Sequence, residues 1–162
     1  MSEAAKTTER DHPGVIAPPP LIFGGILLLT LLLDWVVTGP GFALSDTVRL
    51  IAGGAFSIAG LALIIAAAIR FQVARTAVQP WRPTTAIVTT GVYRISRNPI
   101  YLGMAIVYTG LSLLADSVVA LAGLPVAIVI VQYGVIKREE RYLEEKFGDS
   151  YAAYRRSVRR WI

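Results

Sequence analysis

An all-α integral membrane fold is predicted by three observations. Apolar residues arrive in four uninterrupted blocks, Pro and Gly stand at several block ends, and the cations crowd into alternate intervening segments. With 54% hydrophobic residues and a mean hydropathy of +0.56, the chain reads as one membrane unit. Blocks this closely spaced leave no room for a separate soluble domain.

The first block, residues 21–37, is entered from Pro18-Pro19-Pro20 and left at Gly39-Pro40; it is barely long enough for a hydrocarbon core of about 30 Å. The second, residues 48–69, carries Gly53, Ser57 and Gly60 as a small-residue face, which lets helices approach closely in lipid. The third, residues 99–115, is parted from the fourth, residues 118–136, by only Asp116-Ser117, so the two form an antiparallel hairpin. About four transmembrane helices result, within a single unit spanning residues 21–162.

Residues 1–20 mix charges of both signs with a proline triplet and show no small-residue cleavage site, so a disordered cytoplasmic tail is expected rather than a signal peptide. Residues 70–98 are neither span nor simple connection: Pro80 and Pro83 forbid a continuous helix, and the β-branched run 84–90 suits extended backbone. From Lys137 onward the pattern turns amphipathic, with Leu143, Phe147, Tyr151, Tyr154 and Val158 at helical spacing. Gly148 divides these C-terminal amphipathic helices (137–162), and Asp149 or Ser150 is placed to cap the second, which runs toward Trp161. Such a stripe lies on the membrane surface or packs against a pocket.

A cytoplasmic N-terminus puts residues 1–20, 70–98 and 137–162 on one side, and these hold every Lys and Arg except Arg49. Both termini are therefore expected in the cytoplasm of a multi-pass protein, in the inner membrane of the cell. The net charge of +5 belongs to this asymmetry. It forms no free basic stripe with interleaved aromatics, so membrane lipids are the expected partners, not nucleic acid. The oligomeric state is left open. Absence of Cys excludes disulfides, thiolate metal sites and a Cys nucleophile, and the sole His, His12, lies in the polar tail; no metal site is expected.

Two polar cassettes, residues 91–101 and 137–140, flank the hairpin and should meet on the cytoplasmic face. Asn98-Pro99 opens the third span as N-cap and first-turn Pro, and Arg94 and Arg97 stand just before it. Free backbone N–H groups, the helix dipole and two guanidinium groups make an anion site for a carboxylate or phosphate. Glu139 and Glu140 end the fourth span at the same face and attract a cation. A ligand with a carboxylate, an amine and a sulfonium satisfies both ends, and S-adenosylmethionine is such a ligand. Taken singly, the same residues read equally as orientation signals and surface ion pairs, with Tyr93 and Tyr101 in an interfacial aromatic belt. Both readings stay open on physical grounds.

The string Gly91-x-Tyr93-x3-Arg97-Asn98-Pro99-x-Tyr101-x-Gly103, then a hairpin, then Glu139-Glu140-x2-Leu143-x3-Phe147-Gly148-x2-Tyr151-x2-Tyr154 resembles the isoprenylcysteine carboxyl methyltransferase family. The membrane phospholipid methyltransferases share its general plan. The resemblance runs from about Gln79 to the C-terminus. It implies S-adenosylmethionine in a pocket at the cytoplasmic face and a lipophilic or lipidated acceptor arriving from the bilayer, most simply a carboxylate, which needs no base. Tyr93 and Asn98, Pro99, Ile100 and Tyr101 then contact the amino-acid and ribose parts of the cofactor, beside Arg97. Thr85, Ala86, Ile87 and Val88 border the adenine, Gln79 joins the same pocket, and Glu139, with Glu140, takes the ammonium group.

The chain departs from that family in two places. Asn98 stands where the family often has His, and Val135 stands where the eukaryotic enzymes carry a substrate-binding Arg. Arg156 or Arg138 is the expected replacement for orienting the acceptor. Three other functions fit parts of the pattern: a phospholipid-amine N-methyltransferase, a nicotinamide-dependent membrane reductase with Arg94 and Arg97 on a 2′-phosphate, and a non-catalytic membrane subunit in which Asp34 serves a helix contact.

Overall fold

The computed structural model describes residues 11–79 and 81–162; the expected disordered tail at residues 1–10 lies outside them. Among the described residues all regular structure is helical, without a strand. Helix α1 (Pro19–Val37) starts on the proline triplet, with Pro at its first turn, and stops at Thr38 in the left-handed conformation. Helix α2 (Asp46–Val73) is capped by the Ser45 hydroxyl, which accepts from Val48 N. After a 3-10 turn (Gly91–Arg94) comes α3 (Pro99–Leu114), then α4 (Val118–Phe147) and α5 (Asp149–Ser157).

Among the described residues three helices, α1, α2 and α4, are long and apolar enough to cross a membrane. The 16 residues of α3 rise only about 24 Å. The outer faces of α1 and α2 leave Leu29, Leu32, Trp35, Ile51, Ile58 and Ile65 exposed, an arrangement stable only against lipid.

The predicted hairpin forms. Asp116 turns the chain in the left-handed conformation, and the Ser117 hydroxyl accepts from Ala120 N at 2.9 Å to start α4. Asp116 also accepts from Phe42 N at 2.9 Å and pairs with Arg49 at 3.1 Å, fastening the α1–α2 connection to the hairpin tip. Between α1, α3 and α4, buried Tyr108 donates to Ala120 O at 2.9 Å and meets the Thr30 hydroxyl at 3.3 Å.

The small-residue face of α2 turns inward. A Cβ on Gly60 would come within 2.6 Å of Gly103 O, and one on Gly53 within 2.9 Å of Gly110 O. The backbones of α2 and α3 therefore touch at two levels, with Ser57 between them donating to Gly53 O at 2.8 Å. This contact fixes the position of α3 against α2, and with it the loop that leads into α3.

The apolar part of α4 ends at Ile136, and the helix runs on without a break through a π turn at Gln132–Ile136 into the charged stretch Lys137–Phe147. Two boundaries differ from the sequence expectation. The last helix stops at Ser157, and Val158 is extended, so residues 158–162 run back toward the start of α3 instead of continuing toward Trp161 as helix. Finally, residues 11–18 are not a free tail. Ile16 N donates to Gly134 O at 3.2 Å, with its side chain in the notch Gly134 leaves, and Arg138 donates to Gly14 O at 2.8 Å.

Candidate functional site

Where α3 begins, residues from several segments, α3 itself among them, enclose a cavity of about 810 Å³, counting the part open to solvent. Phe71 at the end of α2, Gln79 and Ala86–Val88 from the long loop, Tyr93 from the 3-10 turn, and Leu143 and Tyr154 from the last two helices give it a largely apolar and aromatic wall. The loop has no regular structure but is pinned: Thr85 N donates to the Thr76 hydroxyl at 2.9 Å and Thr84 N to the Tyr142 hydroxyl at 3.1 Å. Tyr154 donates to Tyr93 O at 2.7 Å, and Phe71 packs edge-on against Tyr93 at 5.5 Å. An apolar slot edged by a few polar groups is the usual form of a small-molecule site.

The polar pole lies where α3 meets the charged part of α4. Tyr101 donates to Glu139 Oε1 at 2.7 Å. Glu139, one turn past the apolar part of α4, sits deep among protein atoms with only its cavity side open. Burial raises its carboxyl to about 7, the Tyr101 bond opposes the rise, and the neighbouring Glu140 adds to it. Burial likewise pushes the Tyr93, Tyr151 and Tyr154 hydroxyls up, so Glu139, unlike these phenols, changes charge near neutral pH.

Glu140 is committed elsewhere. Arg160 grips it through two bonds, Nε to Oε1 at 2.9 Å and Nη2 to Oε2 at 2.7 Å, and Arg97 Nη1 stands 3.2 Å from Oε1. Asn98 stands at the N-cap position of α3 as expected, but its side chain makes no capping bond and donates instead to Arg160 O at 2.9 Å. The Asn98 side chain therefore leaves the first turn of α3 uncapped.

Of the expected cofactor residues, Gln79, Ala86, Ile87, Val88, Tyr93, Arg97, Asn98, Ile100, Tyr101, Glu139 and Glu140 line the one cavity. Thr85 does not, since its hydroxyl turns to Arg75 O, and Pro99 is buried at the helix start. Arg94 is exposed and outside the cavity. Of the expected acceptor-orienting pair, Arg138 donates to Gly14 O and Arg156 is exposed on α5, and neither lines the cavity.

Sequence reasoning missed Phe71, Tyr142, Leu143, Tyr151 and Tyr154 as lining residues. The helical spacing of Leu143, Tyr151 and Tyr154 carried the signal, but spacing does not say whether a stripe meets lipid or a pocket. Arg160 had no signal beyond belonging to a basic terminus.

The family model described as phospholipid methyltransferase matches residues 48–150, well over half of the chain. A curated protein of Haemophilus influenzae, named only as an uncharacterized protein, is 36% identical over 63 residues, 39% of this chain and all of that protein. The family match takes in α2, the loop, α3 and α4, the elements that supply most of the cavity wall. This chain belongs to the phospholipid methyltransferase family.

Proposed function

We propose that the protein transfers a methyl group from S-adenosylmethionine to a lipophilic acceptor, holding the cofactor in this cavity. The observation that carries the reading is the pairing of opposite charges in one slot: Glu139 on one side, and Arg97 with the uncapped start of α3 on the other. These residues fit the cofactor's amino-acid end. Glu139 takes the ammonium, Arg97 and the Ile100 and Tyr101 N–H groups take the carboxylate, and the apolar loop wall 86–88 takes the adenine.

When bound, the cofactor supplies a methyl carbon activated by its sulfonium, so the chain has no covalent work to do. Its residues align two partners and exclude water. Tyr101 holds the Glu139 carboxylate in place, while Phe71, Tyr93 and Tyr154 keep the slot dry.

The acceptor reaches the slot from the bilayer, with α3 as a fourth, short span and both termini in the cytoplasm of an inner-membrane protein. An ionised carboxylate, as in isoprenylcysteine carboxyl methylation, needs no proton removed. A phospholipid amine is the second reading, favoured by the family match. Nothing comparable favours a nicotinamide cofactor, since Arg94 is not available to a 2′-phosphate at this cavity.

Purified protein incubated with methyl-labelled S-adenosylmethionine and its native membrane lipids is expected to move label into the lipid phase. Label released by alkali as volatile methanol identifies a carboxyl ester; alkali-stable label on a headgroup amine identifies the second reading. No transfer to any lipid, with folded protein, sinks both.

The pH dependence follows from Glu139. Its carboxyl is raised to about 7, and pairing with an ammonium requires the ionised form, so binding below that pH must release a proton. Affinity for S-adenosylhomocysteine should therefore rise from pH 6 to 7.5 and level off once the Glu139 carboxyl is fully ionised. Calorimetry in buffers of different ionisation enthalpy reads the proton directly. An affinity flat across this range would exclude Glu139 as the ammonium partner.

A further inference from the structure

The Arg97 side chain is only 9% exposed, yet its Nε and Nη1 have no hydrogen-bond partner among the described residues. Nη1 faces Glu140 Oε1 at 3.2 Å without hydrogen-bond alignment. The reason lies on the other side of Glu140, where Arg160 already holds both carboxylate oxygens. Two guanidinium groups thus share one carboxylate, and the buried Arg97 is left with two unsatisfied N–H donors at the cavity wall. A buried donor left without a hydrogen bond is costly, and an anion entering beside Arg97 would relieve that cost.

The C-terminal segment is built to keep this arrangement. Arg159 O accepts from Arg97 N at 3.0 Å, Arg160 O accepts from the Ser96 hydroxyl at 3.3 Å and from Asn98 Nδ2 at 2.9 Å, and Trp161 Nε1 donates to Gln132 Oε1 at 3.0 Å. Every one of these bonds except the last is to the loop that carries Arg97 into α3.

We propose that Arg160 is a positioning residue for the cofactor site: by gripping both oxygens of Glu140 it leaves the Arg97 donors unsatisfied, and so available to the ligand's carboxylate. The proposal rests on the methyltransferase reading for the ligand's identity, while the unsatisfied donors are a property of the chain. Its consequence differs from that of a merely structural clamp. Removing Arg160 lets Glu140 neutralise Arg97, whereas removing both Arg160 and Glu140 frees Arg97 again.

The test compares binding of S-adenosylhomocysteine and its decarboxylated analogue, which keeps the amine, to detergent-purified parent, Arg160→Gln, and the double variant Arg160→Gln/Glu140→Gln. Arg160→Gln is expected to weaken the carboxylate ligand about tenfold, and the double variant to recover most of that loss. The decarboxylated analogue should bind all three alike. A double variant as weak as Arg160→Gln, or equal weakening of both ligands, overturns the proposal in favour of a structural clamp.

Should neither ligand bind the parent protein, the cofactor reading fails, and the anion site is then judged by sulfate. Sulfate must raise the melting temperature of the parent and the double variant more than that of Arg160→Gln. Equal shifts in all three overturn the anion site itself.

Discussion

Glu139→Gln is expected to abolish methyl transfer and to weaken S-adenosylhomocysteine binding at pH 7.5 by roughly ten- to a hundredfold, the range for a lost hydrogen bond to a charged group. The substitution keeps the size of the side chain and a partner for the Tyr101 hydroxyl, 2.7 Å away in the parent, but removes the negative charge that faces the ammonium. Its effect on stability runs the other way. The folded-state carboxyl is raised to about 7 from an ordinary 4.5, so the folded chain holds this proton more tightly than the unfolded one. The stability it contributes is fully present below about pH 4.5 and is lost as pH rises through about 7. At pH 7.5 the ligand-free Gln variant should therefore melt above the parent, with the difference shrinking toward pH 5. A residue that costs stability and confers affinity is the signature of a binding group. Weaker binding together with a lower melting temperature at pH 7.5 would instead mark Glu139 as structural.

Gly60→Leu should have the largest effect on the fold. Its Cβ alone would meet Gly103 O at 2.6 Å and Val107 Cγ2 at 2.8 Å, and neither helix can yield without losing the second contact level at Gly53 and Gly110. Overpacking of this kind costs about 1–3 kcal/mol even where side chains can adjust; here backbone meets backbone, so the upper end is expected. Because α3 carries Ile100 and Tyr101 into the cavity, cofactor binding should fall with the melting temperature. Gly54→Ala, on the same helix with nothing within 4 Å of the new Cβ, is the matched control and should gain about 0.5–1 kcal/mol from helix propensity. Detergent-micelle melting curves for the two variants check this. A Gly60→Leu curve superimposable on the parent would mean that α2 and α3 do not meet here.

Much of the helical plan was legible because each signal was local. Apolar runs long enough to cross a bilayer, the proline triplet before α1, Asn98-Pro99 before α3 and the Asp116-Ser117 joint act within a few residues of where they stand. The Gly53, Ser57 and Gly60 face was equally visible, although only packing identified its partner as α3 of the same chain. Errors gathered where local signals compete with distant ones. Asn98 has the side chain of a cap, yet Arg160 O, 62 residues along the chain, takes its amide. Arg138 and Arg156 have the charge to orient an acceptor, but their places on α4 and α5 turn them away from the cavity. Residues 11–18 look like a tail by composition, and the Gly134 notch that receives Ile16 has no counterpart in their own sequence.

By itself the sequence determined a helical membrane chain with a polar end, an acidic group and a basic group brought to that end by one hairpin, and the chemistry such a pair can recognise. Hydrophobicity, helix breakers and charge are properties of residues and their near neighbours, so they can be read in order along the chain. Only the tertiary structure decided which carboxylate is free and which is bound. Glu139 and Glu140 are adjacent and alike in sequence. The return of the C-terminus places Arg160 against Glu140, while the register of the hairpin places Tyr101 against Glu139, and that division of partners gives the two acids different roles.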